Sequence, residues 1–140
     1  MPNQMYPCLW FDNQAKEAAE FYCSIFKNSS IKVCTPMVVT FELNGNKFMG
    51  LNGGPNFKFN EAISIVVDCE TQEEIDYYWN KLTEGGEERN CGWLKDKYGM
   101  SWQIVPTILG KLMTDSTKSQ KVMEAFMQMK KFDIDKLLNG

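Results

Sequence analysis

Apolar and polar positions in the first 52 residues follow a pattern that predicts one strand, one helix and three further strands. Tyr6–Phe11 is a short apolar run typical of a buried strand. Alanines and aromatic residues then recur at helical spacing as far as about Lys27-Asn28, after two candidate N-cap residues, Asp12 and Asn13. Asn44-Gly45 favours a tight turn between the last two strands. The three further strands are predicted at residues 31–34, 38–43 and 46–51.

The same order of elements is predicted again after a linker-like segment at residues 52–56. The run Ala62–Val67 fits a second buried strand, and Thr71 with Glu74 forms a capping box that opens a helix. Gly85-Gly86 is a suitable stop for that helix. The second copy is completed by a short strand at residues 87–90 and a hairpin at residues 91–106.

Aligning the chain with itself supports this internal repeat. A shift of 56 residues places Tyr22 on Tyr78, and a shift of 54 residues places Gly45 on Gly99. A single strand–helix–strand–strand–strand module buries its own sheet poorly, which favours a pair of them. We therefore predict an α+β fold of two tandem βαβββ modules, about 5–52 and 60–106. They are expected to form a curved mixed sheet with a concave cavity and with helices on the convex side.

Residues 107–140 differ in kind and are predicted to form C-terminal helices. We expect a short helical turn at Thr107–Met113, a helix at Ser119–Lys131 and a continuation at Phe132–Leu138. The longer helix carries a methionine-rich stripe. Such a stripe can form a promiscuous peptide groove, but a core or dimer face is the more frequent use. By length, residues 1–140 make a single domain.

Composition and charge exclude several classes of partner. The net charge is −3 and the only adjacent basic pair is Lys130-Lys131, which argues against nucleic acid as the main partner. No apolar run approaches the roughly 20 residues of a membrane span, and residues 1–4 lack the features of a signal peptide. The five widely spaced cysteines include no Cys-x-x-Cys pair, so we expect reduced thiols in a cytoplasmic protein.

The chain contains no histidine. This composition excludes Ser-His and Cys-His nucleophile activation, acid–base catalysis by an imidazole, and every metal site that needs a histidine ligand.

Alternation along the predicted strands divides their side chains between two faces. We expect one face to pack against the helices, and it comprises Leu9, Phe11, Ile63, Ile65, Val67, Trp102 and Ile104. The other face offers aromatic, sulfur-containing and neutral hydrogen-bonding groups, a composition typical of a small-molecule pocket. This predicted ligand pocket comprises Tyr6, Cys8, Trp10, Met49, Leu51, Ala62, Ser64, Ser101 and Gln103.

No catalytic residue is assigned, but Gln103 and Glu42 are candidates. Gln103 could orient a carbonyl or amide of a ligand, or it could be a polar plug that Ser64 or water satisfies. Glu42 could be a general base if it points inward, although an exposed carboxylate is the more frequent case. Cys8 could be a nucleophile, but no histidine or nearby cation is identifiable to lower its pKa, so a buried inert thiol is favoured.

Four segments of the chain resemble one known family. They are Phe48–Pro55, Ala62–Ser64, Cys91–Asp96 and Ser101–Pro106. Together they are similar to the PhnB-like family, which carries the label 3-demethylubiquinone-9 3-methyltransferase. This family is part of the vicinal-oxygen-chelate superfamily, which includes glyoxalase I, extradiol dioxygenases and bleomycin-resistance proteins. The resemblance extends over about residues 6–138 and implies paired βαβββ modules and a homodimer.

The resemblance also implies four positions for the ligands of a divalent metal. Carried over residue by residue, these positions are Tyr6, Met49, Ala62 and Gln103. Their side chains do not supply the carboxylate, imidazole or thiolate ligands that such a cation needs, so we expect no metal and no other cofactor. Methyl transfer is also not expected, because neither Gly53-Gly54 nor Gly85-Gly86 joins a strand to a helix as a cofactor-binding loop does.

Three functions are compatible with these features. The first is a metal-free protein that binds an aromatic or amphipathic small molecule, as bleomycin-resistance proteins do. The second is an enzyme of lyase, isomerase or transferase type that acts on a small oxygenated metabolite, with Gln103, Ser64 and Glu42 as polar groups. The third is a structural or assembly role, in which side chains fill the cavity. We rank them in that order.

Overall fold

The computed structural model describes residues 3–139 as two compact units. The first unit ends at Phe59 and the second begins at Asn60. Met1 and Pro2 of the N-terminal segment, and Gly140 of the predicted tail, lie outside the described residues. Over residues 3–139, no helix has the length and apolar character needed to span a membrane.

The first unit is a four-stranded mixed sheet with one helix. Its elements are β1 (Cys8–Phe11), α1 (Ala15–Ile25), β2 (Ser30–Cys34), β3 (Val38–Leu43) and β4 (Asn46–Asn52). The strand order is β1-β4-β3-β2, in which β1 is parallel to β4 and the other neighbours are antiparallel.

The second unit repeats this arrangement and adds three helices. Its elements are β5 (Ser64–Cys69), α2 (Gln72–Thr83), β6 (Glu87–Glu88), β7 (Trp93–Lys95), β8 (Ser101–Pro106), α3 (Ile108–Thr114), α4 (Ser119–Phe126) and α5 (Ile134–Asn139). The strand order is β5-β8-β7-β6, again with one parallel pair, β5 and β8. The predicted α+β class, the two βαβββ modules and the C-terminal helices are confirmed.

In the first unit, α1 lies close against one side of the sheet. Alternation within β3 buries Val39 and Phe41 completely, and the helix faces them with fully buried alanines. A Cβ atom placed at Gly50 of β4 would lie only 3.1 Å from the Cβ of Ala15, so the small residues are what allow this approach. The Tyr22 and Phe41 rings stack with their centroids 6.3 Å apart.

In the second unit, α2 packs on one side of the sheet in the same way. Its buried face comprises Ile75, Trp79 and Leu82, at positions i, i+4 and i+7. Opposite them, β8 contributes Trp102 and Ile104, which are 2% and 0% exposed. This side of each sheet is therefore the hydrophobic core of its unit.

The face that was expected to contact the helices is placed correctly, with one exception. Leu9, Phe11, Trp102 and Ile104 are buried, and the register places Ile65 and Val67 beside Trp102 and Ile104. The exception is Ile63, whose side chain is 54% exposed. It lies before β5, because this strand begins at Ser64 and not at Ala62 as predicted.

The N-terminus of α1 is capped by a residue that the local sequence does not indicate. The structural N-cap is Gln14, which makes no side-chain capping bond, and the predicted caps Asp12 and Asn13 lie further upstream. The Oδ1 atom of Asn52, at the end of β4, accepts a hydrogen bond of 2.9 Å from the Ala15 backbone N–H. A side chain 37 residues away therefore satisfies the exposed N–H.

The start of α2 agrees with the prediction. Thr71 Oγ1 accepts a hydrogen bond from the Glu74 backbone N–H, and the Glu74 carboxylate accepts one from the Thr71 backbone N–H, so the capping box is complete. The helix then ends at Thr83, shortly before Gly85, whose φ of 74° is in the left-handed region.

The long C-terminal helix is shorter than predicted, because α4 ends at Phe126 and not at Lys131. Beyond it, the carbonyl oxygens of Met129 and Lys130 accept hydrogen bonds of 2.8 Å from the backbone N–H groups of Cys91 and Gly92. Directly after α4, the backbone N–H groups of Gln128 and Met129 donate to the carbonyl oxygens three residues back, so the chain tightens out of the α-helix before it reaches the segment ahead of β7.

The tail is attached to α2 of the second unit by side chains. Gln72 donates from Nε2 to the Phe132 carbonyl oxygen and accepts at Oε1 from the Ile134 N–H, both at 2.9 Å. Lys131 Nζ lies 2.7 Å from the Asp76 carboxylate. These contacts hold the segment between α4 and α5 against α2.

The hairpin between β7 and β8 is organised around a buried carboxylate. Asp96 is 3% exposed, and its Oδ1 accepts hydrogen bonds from the backbone N–H groups of Tyr98 (2.8 Å) and Met100 (3.1 Å). Its Oδ2 accepts a hydrogen bond of 2.8 Å from Trp102 Nε1. The predicted Asp96–Gly99 turn is therefore present, with Asp96 bound to three donors inside the core.

Candidate functional site

The open face of the second sheet is the side opposite α2. Two rows of neighbouring side chains cross it, Trp93, Gln103 and Val66, then Lys95, Ser101 and Ser64. Arg89 extends the first row, because its backbone N–H donates to the Trp93 carbonyl oxygen at 2.9 Å, and Glu87 extends the second row beside Lys95. The face therefore combines an indole, neutral hydrogen-bonding groups and charges of both signs.

Glu61 joins the two cations of this face. Its Oε2 atom lies 3.2 Å from Arg89 Nη1 and 3.2 Å from Lys95 Nζ. Arg89 is also paired with Glu87, with 3.3 Å between Nε and Oε1. The hydrogen bond from the Lys95 ammonium, supported by the charges of Lys95 and Arg89, lowers the pKa of the Glu61 carboxyl. Two cations and two carboxylates thus balance one another.

A pocket of about 330 Å³ lies on the same face, and its lining includes Glu61, Arg89, Trp93, Lys95 and Ser101. Ser101 is fully buried, and its Oγ has no hydrogen-bond partner among residues 3–139. A buried hydroxyl without a partner costs roughly 1–3 kcal/mol. A ligand atom or a water molecule that hydrogen-bonds to this hydroxyl would remove the penalty. The pocket therefore contains an unsatisfied hydrogen-bonding group that a polar ligand atom could pair with.

A larger hollow of about 590 Å³ lies beside α4 and α5. Its lining includes the exposed side chains of Gln128, Asp135, Lys136 and Asn139. Exposed flexible side chains enclose a ligand poorly, and a well-formed site combines apolar walls with a few fixed polar groups. The smaller pocket on the sheet meets that description better.

Gln103 lies next to this pocket with its amide group engaged. Its Nε2 donates a hydrogen bond of 2.9 Å to Ser64 Oγ on the neighbouring strand. The predicted pairing of Gln103 with Ser64 is therefore present. Its role towards a ligand stays a prediction.

The open face of the first sheet is different in composition. Cys8 lies beside Met49, and Trp10 beside Leu51, in the parallel pair of β1 and β4. The Trp10 Nε1 donates to the Gly54 carbonyl oxygen at 2.9 Å, and the Phe57 ring contacts the indole edge-on with centroids 4.8 Å apart. Four of the predicted pocket residues therefore share one sulfur-rich and aromatic surface.

The remaining candidates on the first unit have partners that suit structural roles. Tyr6 lies before β1, and Lys47 Nζ lies 4.1 Å from its ring centroid. Glu42 of β3 is directly opposite Lys47 in the register, a favourable cross-strand pair of opposite charges. The Cys23 thiol donates to the backbone carbonyl oxygen of Glu42 at 4.0 Å, so this contact does not involve the Glu42 carboxylate.

Cys8 was expected to be buried, and this expectation is wrong, because the side chain is exposed on the open face of β1. Partial burial raises the pKa of the Cys8 thiol, since the thiolate is less well solvated there. The group is therefore accessible but remains a neutral thiol near pH 7. Accessibility alone does not make it a nucleophile.

Reasoning from sequence did not select Glu61, Arg89, Trp93 or Lys95 as site residues. Two signals were available. Arg89 is the single arginine of the chain, and Trp93 and Lys95 alternate with the buried Leu94. Extending the hairpin register from Gln103 and Ser101 to the facing strand identifies both residues as open-face neighbours.

The four positions implied for a divalent metal do not fit one. The Gln103 amide nitrogen donates a hydrogen bond to Ser64, and the Ala62 side chain has no atom that can bind a metal. The exposed Tyr6 is next to the ammonium group of Lys47. Within residues 3–139, no three Cys, Asp or Glu side chains are grouped as a metal site. The donor set therefore offers no basis for metal chemistry.

The glycine pairs have packing roles that explain them without a cofactor. A Cβ atom at Gly53 would collide with the Trp10 indole, and one at Gly86 would collide with the Lys95 carbonyl oxygen. Both sheets are mixed four-stranded sheets, not the doubly wound parallel sheet in which a nucleotide-type cofactor binds a strand–helix turn. The residues present therefore do not fit a site of that type for a methyl donor.

Comparison with known proteins places these features in a family. The family described as 3-demethylubiquinone-9 3-methyltransferase matches residues 3–105. A PhnB protein from Bacillus cereus with the same methyltransferase description is 35% identical, with a TM-score of 0.68 over 75% of this chain and 100% of that chain. No curated protein matches this chain.

More distant structures share the fold alone. A fosfomycin resistance protein from Listeria monocytogenes, FosX, solved with Mn(II) and a sulfate ion, is 16% identical, with a TM-score of 0.59 over 80% of this chain and 96% of that chain. A glyoxalase-related enzyme from Fulvimarina pelagi is 12% identical, with a TM-score of 0.56 over 78% and 91% of the two chains. The chain therefore belongs to the PhnB-like family named 3-demethylubiquinone-9 3-methyltransferase.

Proposed function

We propose that this protein binds an aromatic or amphipathic small molecule, without a catalytic metal, and that the pocket on the open face of the second sheet is its site. One observation carries the proposal. The pocket of about 330 Å³ combines the Trp93 side chain with the Oγ of Ser101, a fully buried atom that has no partner among residues 3–139. An apolar wall with a few fixed polar groups is the usual composition of a small-molecule site.

Binding is favoured over catalysis by the bonding of the polar groups. The Ser101 hydroxyl makes no hydrogen bond to a general base among the described residues, and Lys95 is committed to Glu61. An activated nucleophile needs a base within hydrogen-bond reach. The groups present are suited to recognising a ligand.

A thermal-shift screen of the purified protein against a metabolite library tests the proposal. We expect at least one aromatic or amphipathic compound to raise the melting temperature, and native mass spectrometry to give one ligand per chain. Trp93→Ala should abolish the shift, whereas Tyr77→Ala, which removes an exposed aromatic ring from α2, should preserve it. A library with no hit, or hits that survive Trp93→Ala, would contradict the proposal.

The metal-free part of the proposal has its own test. Elemental analysis of protein purified without chelator should show no stoichiometric zinc, nickel, manganese or iron. Added metal should leave the ligand affinity unchanged. Stoichiometric binding of any of these metals would contradict this part.

We also propose a homodimer in the cytoplasm. Met123 and Met127 of the tail are 45% and 58% exposed, and exposed methionines are suited to an adaptable apolar interface. Light scattering should give twice the chain mass, and a Met123→Gln, Met127→Gln double variant should shift the population to monomer.

The cytoplasmic location is tested by thiol trapping in intact cells, which should find the accessible thiols of Cys8 and Cys34 reduced.

A further inference from the structure

The polar end of the pocket on the second sheet contains an anion that belongs to the protein itself. Glu61 places one carboxylate oxygen 3.2 Å from both Arg89 Nη1 and Lys95 Nζ. All three side chains line the pocket together with Ser101 and Trp93. The pocket therefore already shows which chemical group its cations accept.

The cations and the carboxylate are supported differently. Lys95 is part of β7, and Arg89 is held beside β7 by the hydrogen bond from its backbone N–H to Trp93. Glu61 instead belongs to a turn at residues 61–62 that precedes β5, and its side chain is 49% exposed. An exposed ion pair contributes little, because solvent screens it and the side chains lose entropy in forming it. Glu61 is therefore replaceable, whereas the backbones of both cationic residues are held at β7.

A second, independent feature also points to a ligand. Ser101 lines the pocket, and its buried Oγ has no hydrogen-bond partner among residues 3–139. Ser101 is the direct neighbour of Lys95 in the register of β7 and β8. A hydroxyl donor next to an ammonium group is a suitable complement for a group with two acceptor oxygens.

We propose that the pocket selects an amphipathic carboxylate, and that Glu61 occupies the subsite for this group until the ligand displaces it. The ligand carboxylate pairs with Arg89 and Lys95, the Ser101 hydroxyl donates to it, and the apolar part of the ligand lies against Trp93. The inference rests on the proposed function and adds the charge class of the ligand. A carboxylate is favoured over other anions because the Glu61 carboxylate already fits there, with one oxygen on Arg89 Nη1 and Lys95 Nζ, while the Nε and Nη2 edge of the guanidinium faces Glu87.

Isothermal titration with three probes of similar shape tests the inference. The probes are 1-naphthoate, the neutral 1-naphthamide and the more highly charged 1-naphthyl phosphate. We expect the wild-type protein to bind the carboxylate at least tenfold more tightly than the amide, and more tightly than the phosphate. Each titration uses the full chain at low salt, because screening weakens exposed charge pairs.

Variants distinguish displacement of Glu61 by the ligand from simple attraction of the ligand to the two cations. Glu61→Gln removes the carboxylate that competes for Arg89 Nη1 and Lys95 Nζ, so we expect it to tighten naphthoate binding about tenfold and to leave the amide unchanged. Lys95→Met should weaken naphthoate binding at least tenfold. The matched control is Glu88→Gln, which should leave every affinity unchanged. Glu88 is an exposed carboxylate of β6, and its register partner is the buried Leu94.

The outcomes distinguish this inference from the proposed function. If naphthoate and naphthamide bind equally, or if Glu61→Gln leaves the ratio unchanged, the inference is overturned while ligand binding stands. If the phosphate binds more tightly than the carboxylate, the assignment of the charge class is overturned. If none of the probes binds any form of the protein, the inference is wrong, and the proposed function then fails only if the metabolite screen also gives no hit.

Discussion

The first hairpin turns through Asn44 and Gly45, whose φ angles of 52° and 81° are those of a tight two-residue turn. The second hairpin turns through a longer loop that is held from within by Asp96. The same contrast exists between the open faces. The first presents aromatic and sulfur-containing side chains around Trp10, and the second presents the ion pairs of Glu61 and the unpartnered Ser101 hydroxyl.

Both units nevertheless have one strand order and one kind of core, with a helix on the same side of the sheet. The repeat thus preserves the side that stabilises the fold and varies the side that faces away from the helix. Since a packed core tolerates little change, whereas an exposed face can vary at small cost, function is expected where the units differ. The predictions below test that division.

The largest effect is expected at the second hairpin. Asp96→Ala removes the acceptor of three hydrogen bonds and leaves buried donors on Met100 and Trp102, so we expect a loss of about 3–5 kcal/mol in the free energy of unfolding. Asn44→Gly, in the first hairpin, keeps a residue that readily adopts positive φ and should change this free energy by less than about 0.5 kcal/mol. Urea denaturation measures both, and equal midpoints would contradict the contrast between the hairpins.

A smaller effect is expected where the first open face meets its loop. Gly53→Ala forces the Trp10 indole to move, because the added Cβ collides with its ring, and should cost about 1–3 kcal/mol. The control is Gly110→Ala in α3, where the added Cβ meets open space and the backbone is not in the left-handed region. Near-ultraviolet circular dichroism should change with Gly53→Ala alone, and an unchanged Trp10 environment in that variant would count against this packing.

Two serines that are neighbours in the register of β5 and β8 should respond in opposite directions. Ser101→Ala removes a buried hydroxyl without a partner, so we expect the free energy of unfolding to stay level or to rise by up to about 1 kcal/mol, while ligand affinity falls. Ser64→Ala leaves the Gln103 amide without its acceptor and should cost about 1 kcal/mol. If both variants are destabilised equally, the Ser101 hydroxyl is hydrogen-bonded in solution and does not support a ligand site.

The smallest effect concerns the charge network of the second open face. Lys95 and Arg89 lower the pKa of Glu61, so the ion pairs stabilise the fold above the usual pKa of a glutamate, about 4.3, and this contribution is lost as the pH falls through the lowered pKa. Carbon-detected NMR titration should place the midpoint of Glu61 below the usual range in the wild type. It should return towards that range in Lys95→Met, and a midpoint that does not move would exclude the ion pair as the cause.

Features that are determined by residues close together in the sequence could be predicted from it. Alternation identified the buried sides of β1 and β8, because Leu9, Phe11, Trp102 and Ile104 are two residues apart on their strands. The capping box of α2 and the Asn44-Gly45 turn are likewise encoded within four residues. Such features depend only on the geometry of a short segment.

Features that depend on distant parts of the chain could not be predicted. Asn52 caps α1 across 37 residues, and the chain that follows α4 is held by the backbone N–H groups of Cys91 and Gly92. The candidate site had the same difficulty. Ser101 and Gln103 were identified by alternation. Glu61 belongs to the same site only because the turn before β5 places its carboxylate next to Arg89 and Lys95.

The central claim is that the second open face is the ligand site, and the four tryptophans of the chain allow it to be tested directly. Trp93 lines the pocket, whereas Trp79 and Trp102 are 2% exposed in the core and Trp10 belongs to the first sheet. In a ¹H–¹⁵N spectrum, saturation with the compound that most raises the melting temperature should shift the Trp93 indole signal and leave those of Trp79 and Trp102 in place. A Trp93 signal that does not move at saturation would contradict the account.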